Sequence, residues 1–148
     1  MIKLENGKTE EATTRSDGLL EKHPHYPTVQ YAKGCLCAQQ GDPAASIPFF
    51  EDAVRINPYF LEAWANLSLA ASQVLKLSRA AEAAREVIEL DQPGSPISAQ
   101  AKSLLTDLNR FAREGGVSLK NFLEASVVFD EAFDLMDQGD FEGARKGF

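Results

Sequence analysis

The sequence has few of the residues on which local chemistry is usually built. Its 148 residues include two cysteines, two histidines, two methionines and one tryptophan. Cys35 and Cys37 fall on what reads as a single helix, where residues two apart point about 200° apart around the axis. They cannot pair with each other or share a metal while that helix holds. They read as small apolar fillers in a reducing compartment. His23 and His25 sit in a Pro-rich connector with no third ligand, which is turn sequence and a poor metal site. No cofactor and no metal are expected.

Basic charge is scarce as well. Lys and Arg total 15 against 22 Asp and Glu, for a net charge of −7. Nucleic acids and anionic membranes are held by clustered Lys and Arg. Neither is therefore an expected partner. No apolar run approaches the roughly 18 residues that would span a bilayer. The N-terminus lacks the apolar stretch of a secretory leader. A cytoplasmic location is the default expectation.

Catalytic patterns are equally thin. No segment alternates as a strand does, so no strand leads into a Gly-rich phosphate loop. Ser, Cys and His form no local nucleophile motif. The acidic run Asp130, Glu131, Asp134, Asp137 and Asp140 lacks the loop ligands and central Gly that calcium needs, and reads as a solvated helix face. The chain is expected not to be an enzyme.

What the sequence does have is a period. Gly7 and Gly41 are 34 residues apart, as are Pro24 and Pro58, and His23, Asn57 and Asp91. Leu20, Val54 and Ile88 form a core-type series in the same frame, and Ala12, Ser46 and Ala80 another. A period of this length signals one helix–turn–helix unit stacked on copies of itself. Breakers at His23-Pro24-His25-Tyr26-Pro27, Gly41-Asp42-Pro43, Asn57-Pro58 and Gln92-Pro93-Gly94-Ser95-Pro96 separate stretches with a period near 3.6. Helices are predicted at 9–22, 26–40, 43–56, 60–74, 78–90, 96–113, 118–138 and 140–148. Pro48 lies past the first turn of its helix and predicts a local bend there. The fold class is all-α, a superhelical solenoid of antiparallel hairpins.

Residues 27–92 resemble two consecutive tetratricopeptide repeats, in the manner of bacterial members of that family. The unit opening at Leu61 carries Trp64, Leu67 and Ala80 in register, with Ser68 for Gly and Ala84 for an aromatic. The unit opening at Pro27 carries Gly34, Phe50, Ala53 and Pro58, and departs with Gln30 for Trp and Lys33 for Leu. The frame divides the chain into a partial repeat at 1–26, repeats at 27–60 and 61–94, a degenerate repeat at 95–124 and a partial repeat at 125–148. A chain that opens and closes inside a repeat is expected to be a piece of a longer solenoid. Its uncovered terminal helices are expected to self-associate weakly.

The resemblance also implies a site. In that family one face of the first helix of each hairpin lines a concave surface. Carried over, that face is Thr28, Tyr31, Cys35, Ala38 and Gln39 in the first full unit. In the second it is Glu62, Ala65, Leu69, Ser72 and Gln73, with Asn66 at the edge. The last unit adds Ser126, Phe129, Phe133, Met136 and Asp137 if its first helix faces the same way. The best-known form of this groove clamps a C-terminal carboxylate with Lys and Asn. Tyr31 and Cys35 stand at those places and only Asn66 matches, so a clamp for acidic chaperone tails is not expected.

The function implied is a noncatalytic protein–protein interaction scaffold that binds a peptide or protein in its concave face. The alternatives are a structural or self-association spacer, or a regulatory module of a larger multidomain protein or enzyme whose active part lies beyond residue 148.

Overall fold

A computed structural model describes residues 2–137, with side chains at 10–15, 17–128 and 130–132. Seven helices follow one another among them: α1 Ile2–Lys22, α2 Pro27–Gln39, α3 Pro43–Ile56, α4 Leu61–Gln73, α5 Leu77–Leu90, α6 Pro96–Glu114 and α7 Leu119–Asp137. No strand occurs among the described residues. The helix expected at 140–148 lies outside them.

The boundaries follow from the sequence chemistry. Pro at the first helical turn opens α2, α3 and α6. Asp42 caps α3 by accepting from Ala45 N–H at 3.0 Å, and Ser95 caps α6 by accepting from Ser98 N–H at 3.0 Å. Pro48 does not break α3. It removes a backbone donor to Ala44, and both residues are exposed, so the carbonyl left without that donor is open to solvent.

Two turns share the left-handed backbone that closes a hairpin. Gly41 has φ +82°, and Leu75, one period later, has φ +62°. Glycine is suited to the first; leucine is strained at the second. Gly7 is one period before Gly41 but lies within α1, which starts at Ile2 and not at 9. The glycine spacing alone therefore misplaced that turn.

The helix pairs α2/α3 and α4/α5 pack as hairpins, and α3 stacks on α4. Phe50, Ala53, Ala63, Ala71, Ala80 and Ala83 are fully buried where they meet. Trp64 is half-buried against the core, and its indole N–H donates to Pro58 O at 2.7 Å. Gln30 stands one period earlier, is 8% exposed, and donates its amide to Pro24 O at 3.0 Å. The departure from Trp to Gln thus preserves the bond to the proline carbonyl that precedes each unit. Lys33, the other departure, pairs with Asp17 of α1 at 2.6 Å and ties α2 to the helix before it.

Beyond α5 the hairpins become irregular. α6 has 19 residues where α2 and α4 have 13, and its turn comes late, at Gly116 with φ +76°. α7 then packs more on α5 than on α6. The repeat boundary expected at 125 falls inside α7, which has no breaker there.

Asp130 corrects a reading of the sequence. It is 3% exposed and is no part of a solvated face. Its carboxylate accepts from the Ser78 hydroxyl and from Arg79 N–H, the latter at 3.3 Å. These donors belong to the first turn of α5, whose own N-terminal residue Lys76 supplies no side-chain cap. A residue of α7 therefore caps α5. Burial still pushes the Asp130 carboxyl above its ordinary value, against the opposing pull of Ser78 and Arg79.

Candidate functional site

An apolar groove with a volume of about 370 Å³ lies between α4 and α6. Ala65, Leu69 and Ser72 form its α4 wall. Ile97, Gln100, Ser103, Leu104 and Asp107 form its α6 wall. The buried faces of Ser68, Val87 and Ala101 close the floor. Leu69 is 56% exposed at the rim. α5 holds the two walls apart, packing on each while they barely touch.

The floor depends on one substitution. Ser68 stands where the family carries Gly, and its hydroxyl donates to Ala80 O at 3.1 Å across the α4/α5 crossing. Ala80 is fully buried at that crossing. A small residue on each helix permits the approach, and the serine finds an acceptor there. Ser72 donates to Leu69 O at 2.7 Å, within its own helix.

The expected concave residues divide into groups. Ala65 and Leu69 line the groove. Thr28, Gln39, Glu62 and Gln73 are exposed. Cys35 is half-buried against the core of the first hairpin, and Cys37 is buried; both are free thiols. Burial raises the Cys37 thiol pKa. The side chains of Phe129 and Phe133 lie outside the described set. Ser126 is 7% exposed and bonds back to Phe122 O at 2.8 Å, so α7 does not turn that residue to a concave surface.

Tyr31 and Asn66 meet. The Asn66 amide donates to the Tyr31 hydroxyl at 3.0 Å and to Glu62 O at 3.0 Å. The Tyr31 ring packs on Phe60 and Phe50, with centroids at 4.9 and 5.8 Å. Burial first, then the Cys35 thiol and Glu62, push the Tyr31 pKa up to about 12. The amide that could have served a carboxylate clamp is thus engaged by a neutral phenol.

The α6 wall was absent from the sequence reading. Gln100 lies one period after Asn66, and Ser103 and Asp107 one period after Leu69 and Gln73. Continuing the frame through the irregular unit would have found all three. Among the described residues no group of three or more His, Cys, Asp or Glu is placed to hold a metal. None of the described helices is long and apolar enough to cross a membrane.

Stacked antiparallel hairpins with a concave groove define an α-helical repeat protein. A family model described as tetratricopeptide repeat matches residues 1–59. Among solved structures, the first tetratricopeptide domain of Spaghetti (RPAP3), bound to the HSP90 peptide SRMEEVD, has the same fold. The TM-score is 0.61 at 18% identity, over 71% of this chain and 85% of that one. With its 34-residue frame, the chain is similar to tetratricopeptide-repeat proteins and shares their fold.

Curated relatives include the galactofuranose transporter ATP-binding protein YtfR of Escherichia coli K12 and of Escherichia coli O157:H7. Each is 32% identical over 82 residues, 53% of this chain and 16% of the relative. The chain therefore spans about a sixth of the length of these proteins. Gly7-Lys8-Thr9 matches the end of a phosphate-loop motif, but Ile2 stands where its first glycine belongs. The tripeptide also lies within α1, where backbone N–H groups are committed to the helix.

Proposed function

We propose that this protein is a noncatalytic scaffold that binds a peptide or protein segment in the groove between α4 and α6. The observation that carries the reading is the exposed Leu69 facing Ile97 and Leu104 across an open apolar cleft. Peptides commonly dock in such grooves by apolar anchors. The peptide held by the Spaghetti domain supports a peptide partner of some kind. It does not support the same peptide, because Tyr31 and Cys35 replace the clamp residues. A role as an interaction module of a larger protein is compatible with this reading. A cytoplasmic setting fits the scarcity of cysteine and the absence of an apolar span.

The test is selection of a displayed random-peptide library on the wild-type protein, counter-selected on Leu69→Glu. Enriched peptides with apolar anchors that fail on the variant are expected. Enrichment indifferent to Leu69, or none, would overturn the proposal.

A further inference from the structure

The chemistry of the α4/α6 groove restricts what it can hold. We infer that its occupant is an internal peptide segment with an aliphatic anchor and a nearby Lys or Arg, and not an acidic C-terminal tail. The inference rests on the groove being a peptide site, and it adds the peptide's chemistry.

Charge is the first argument. Among the described residues, the one charged residue lining the groove is Asp107. Glu62, exposed on the first turn of α4, has the same sign. Asp107 pairs with Arg110 at 3.1 Å, but the two side chains are 59% and 70% exposed. An ion pair that exposed is weak, so a ligand cation can replace Arg110 at little cost. An acidic tail would instead meet Asp107 without a lining cation to compensate.

Hydrogen bonding is the second. Ser68 and Ser72 spend their hydroxyl protons on Ala80 O and Leu69 O. The Gln100 amide and Ser103 hydroxyl make no side-chain hydrogen bond among the described residues and face the cleft. An amide offers a donor and an acceptor together, which suits a peptide main chain. A carboxylate terminus needs donors only. Neither Gln100 nor Ser103 brings the positive charge that a free carboxylate terminus would prefer.

Size is the third. Ala65 to Ser72 rises about 10 Å and Ile97 to Asp107 about 15 Å along their helices. An extended chain covers that distance in about three to five residues. Leu104 and Asp107 lie one turn apart on α6, so a cation about two residues from the anchor reaches the carboxylate.

The experiment uses three pools of acetyl- and amide-capped heptapeptides. Each has a central Leu, with Lys, Gln or Glu fixed two residues to either side. The free-acid peptide SRMEEVD is a fourth probe. Binding to the whole chain is read by fluorescence anisotropy at low and moderate salt. The Lys pool should bind about fivefold tighter than the Glu pool, the size an exposed ion pair supplies, and the gap should narrow with salt. Asp107→Lys should reverse the order, and Leu69→Glu should remove binding of every pool. Equal pools, a preference for Glu or SRMEEVD, or an order unchanged in Asp107→Lys would overturn this inference while leaving a Leu69-dependent peptide site. Binding that survives Leu69→Glu, or no binding by any probe, would overturn both. Both substituted residues are exposed, and circular dichroism checks that each variant stays folded.

Discussion

A Cβ placed on Gly34 would lie 2.7 Å from Cε1 of Phe50, closer than real Cβ atoms come to any neighbour. Phe50 is 1% exposed and packs against Tyr31, so its ring has little room to withdraw. Gly34 is therefore required by packing and not by backbone conformation. Gly34→Ala should destabilise the protein by about 1–3 kcal/mol through overpacking. Urea unfolding measures it, and Phe50→Leu in the same chain should recover part of the loss. A neutral Gly34→Ala would mean that α2 and α3 do not cross where they are placed.

Leu75 yields the opposite expectation. Its φ of +62° is strained for a branched side chain, and it is 65% exposed, so little packing is at stake. Leu75→Gly relieves a cost of about 1–2 kcal/mol, reduced by the freedom glycine adds to the unfolded chain. A net gain of about 0.5–1 kcal/mol is expected in melting experiments. A loss would show that Leu75 packs on something the exposed turn conceals.

Asp130 couples α7 to α5, and its two substitutions separate cap from charge. Asp130→Ala leaves the α5 N-terminus uncapped and should cost about 1 kcal/mol. Asp130→Asn keeps an acceptor and removes a buried charge. A carboxyl pKa raised by burial means a contribution present below its unfolded value and lost as pH rises through the folded one. Relative to wild type, Asp130→Asn should therefore gain stability from about pH 4 toward neutrality. Urea curves at both ends test this. A variant that loses ground as pH rises would contradict the burial argument.

Tyr31 is expected to ionise above the ordinary phenol range. Tyr26 and Tyr59 are 58% and 80% exposed, whereas Tyr31 is pushed up to about 12. Because its folded pKa is raised, its contribution to stability is lost as pH climbs from about 10 through 12. Ultraviolet titration of phenolate should show a late component near pH 12 that is missing in Tyr31→Phe. A titration curve that Tyr31→Phe leaves unchanged at its late end would mean that the Tyr31 phenol is not buried as placed.

Much of this fold is legible in the sequence because turn and core signals share one frame. Asp42-Pro43, Asn57-Pro58 and Ser95-Pro96 mark helix ends that the structure reproduces closely. Gly7 misled because glycine spacing resembles a turn even where the residue lies inside a helix. The buried role of Asp130 was hidden because its donors, Ser78 and Arg79, are about fifty residues away in sequence. The α4 wall was legible through Ala65 and Leu69. The α6 wall was not, since the long helix that runs to Glu114, before Gly115-Gly116, hides the unit's regular first half. The Tyr31–Asn66 bond depends on how adjacent hairpins stack, which no local pattern encodes.

The central claim, that the working surface is the groove between α4 and α6, is tested most directly by amide chemical-shift mapping. Isotope-labelled protein is titrated with a peptide recovered by selection on the wild type. Perturbations should concentrate at Leu69, Ser72, Gln100, Ser103 and Asp107, with α3 and the outer face of α5 unmoved. Perturbations centred instead on Glu51, Arg79 and Glu82, or on the α5/α7 face at Lys120 and Val127, would place the binding surface on the opposite side and contradict the account.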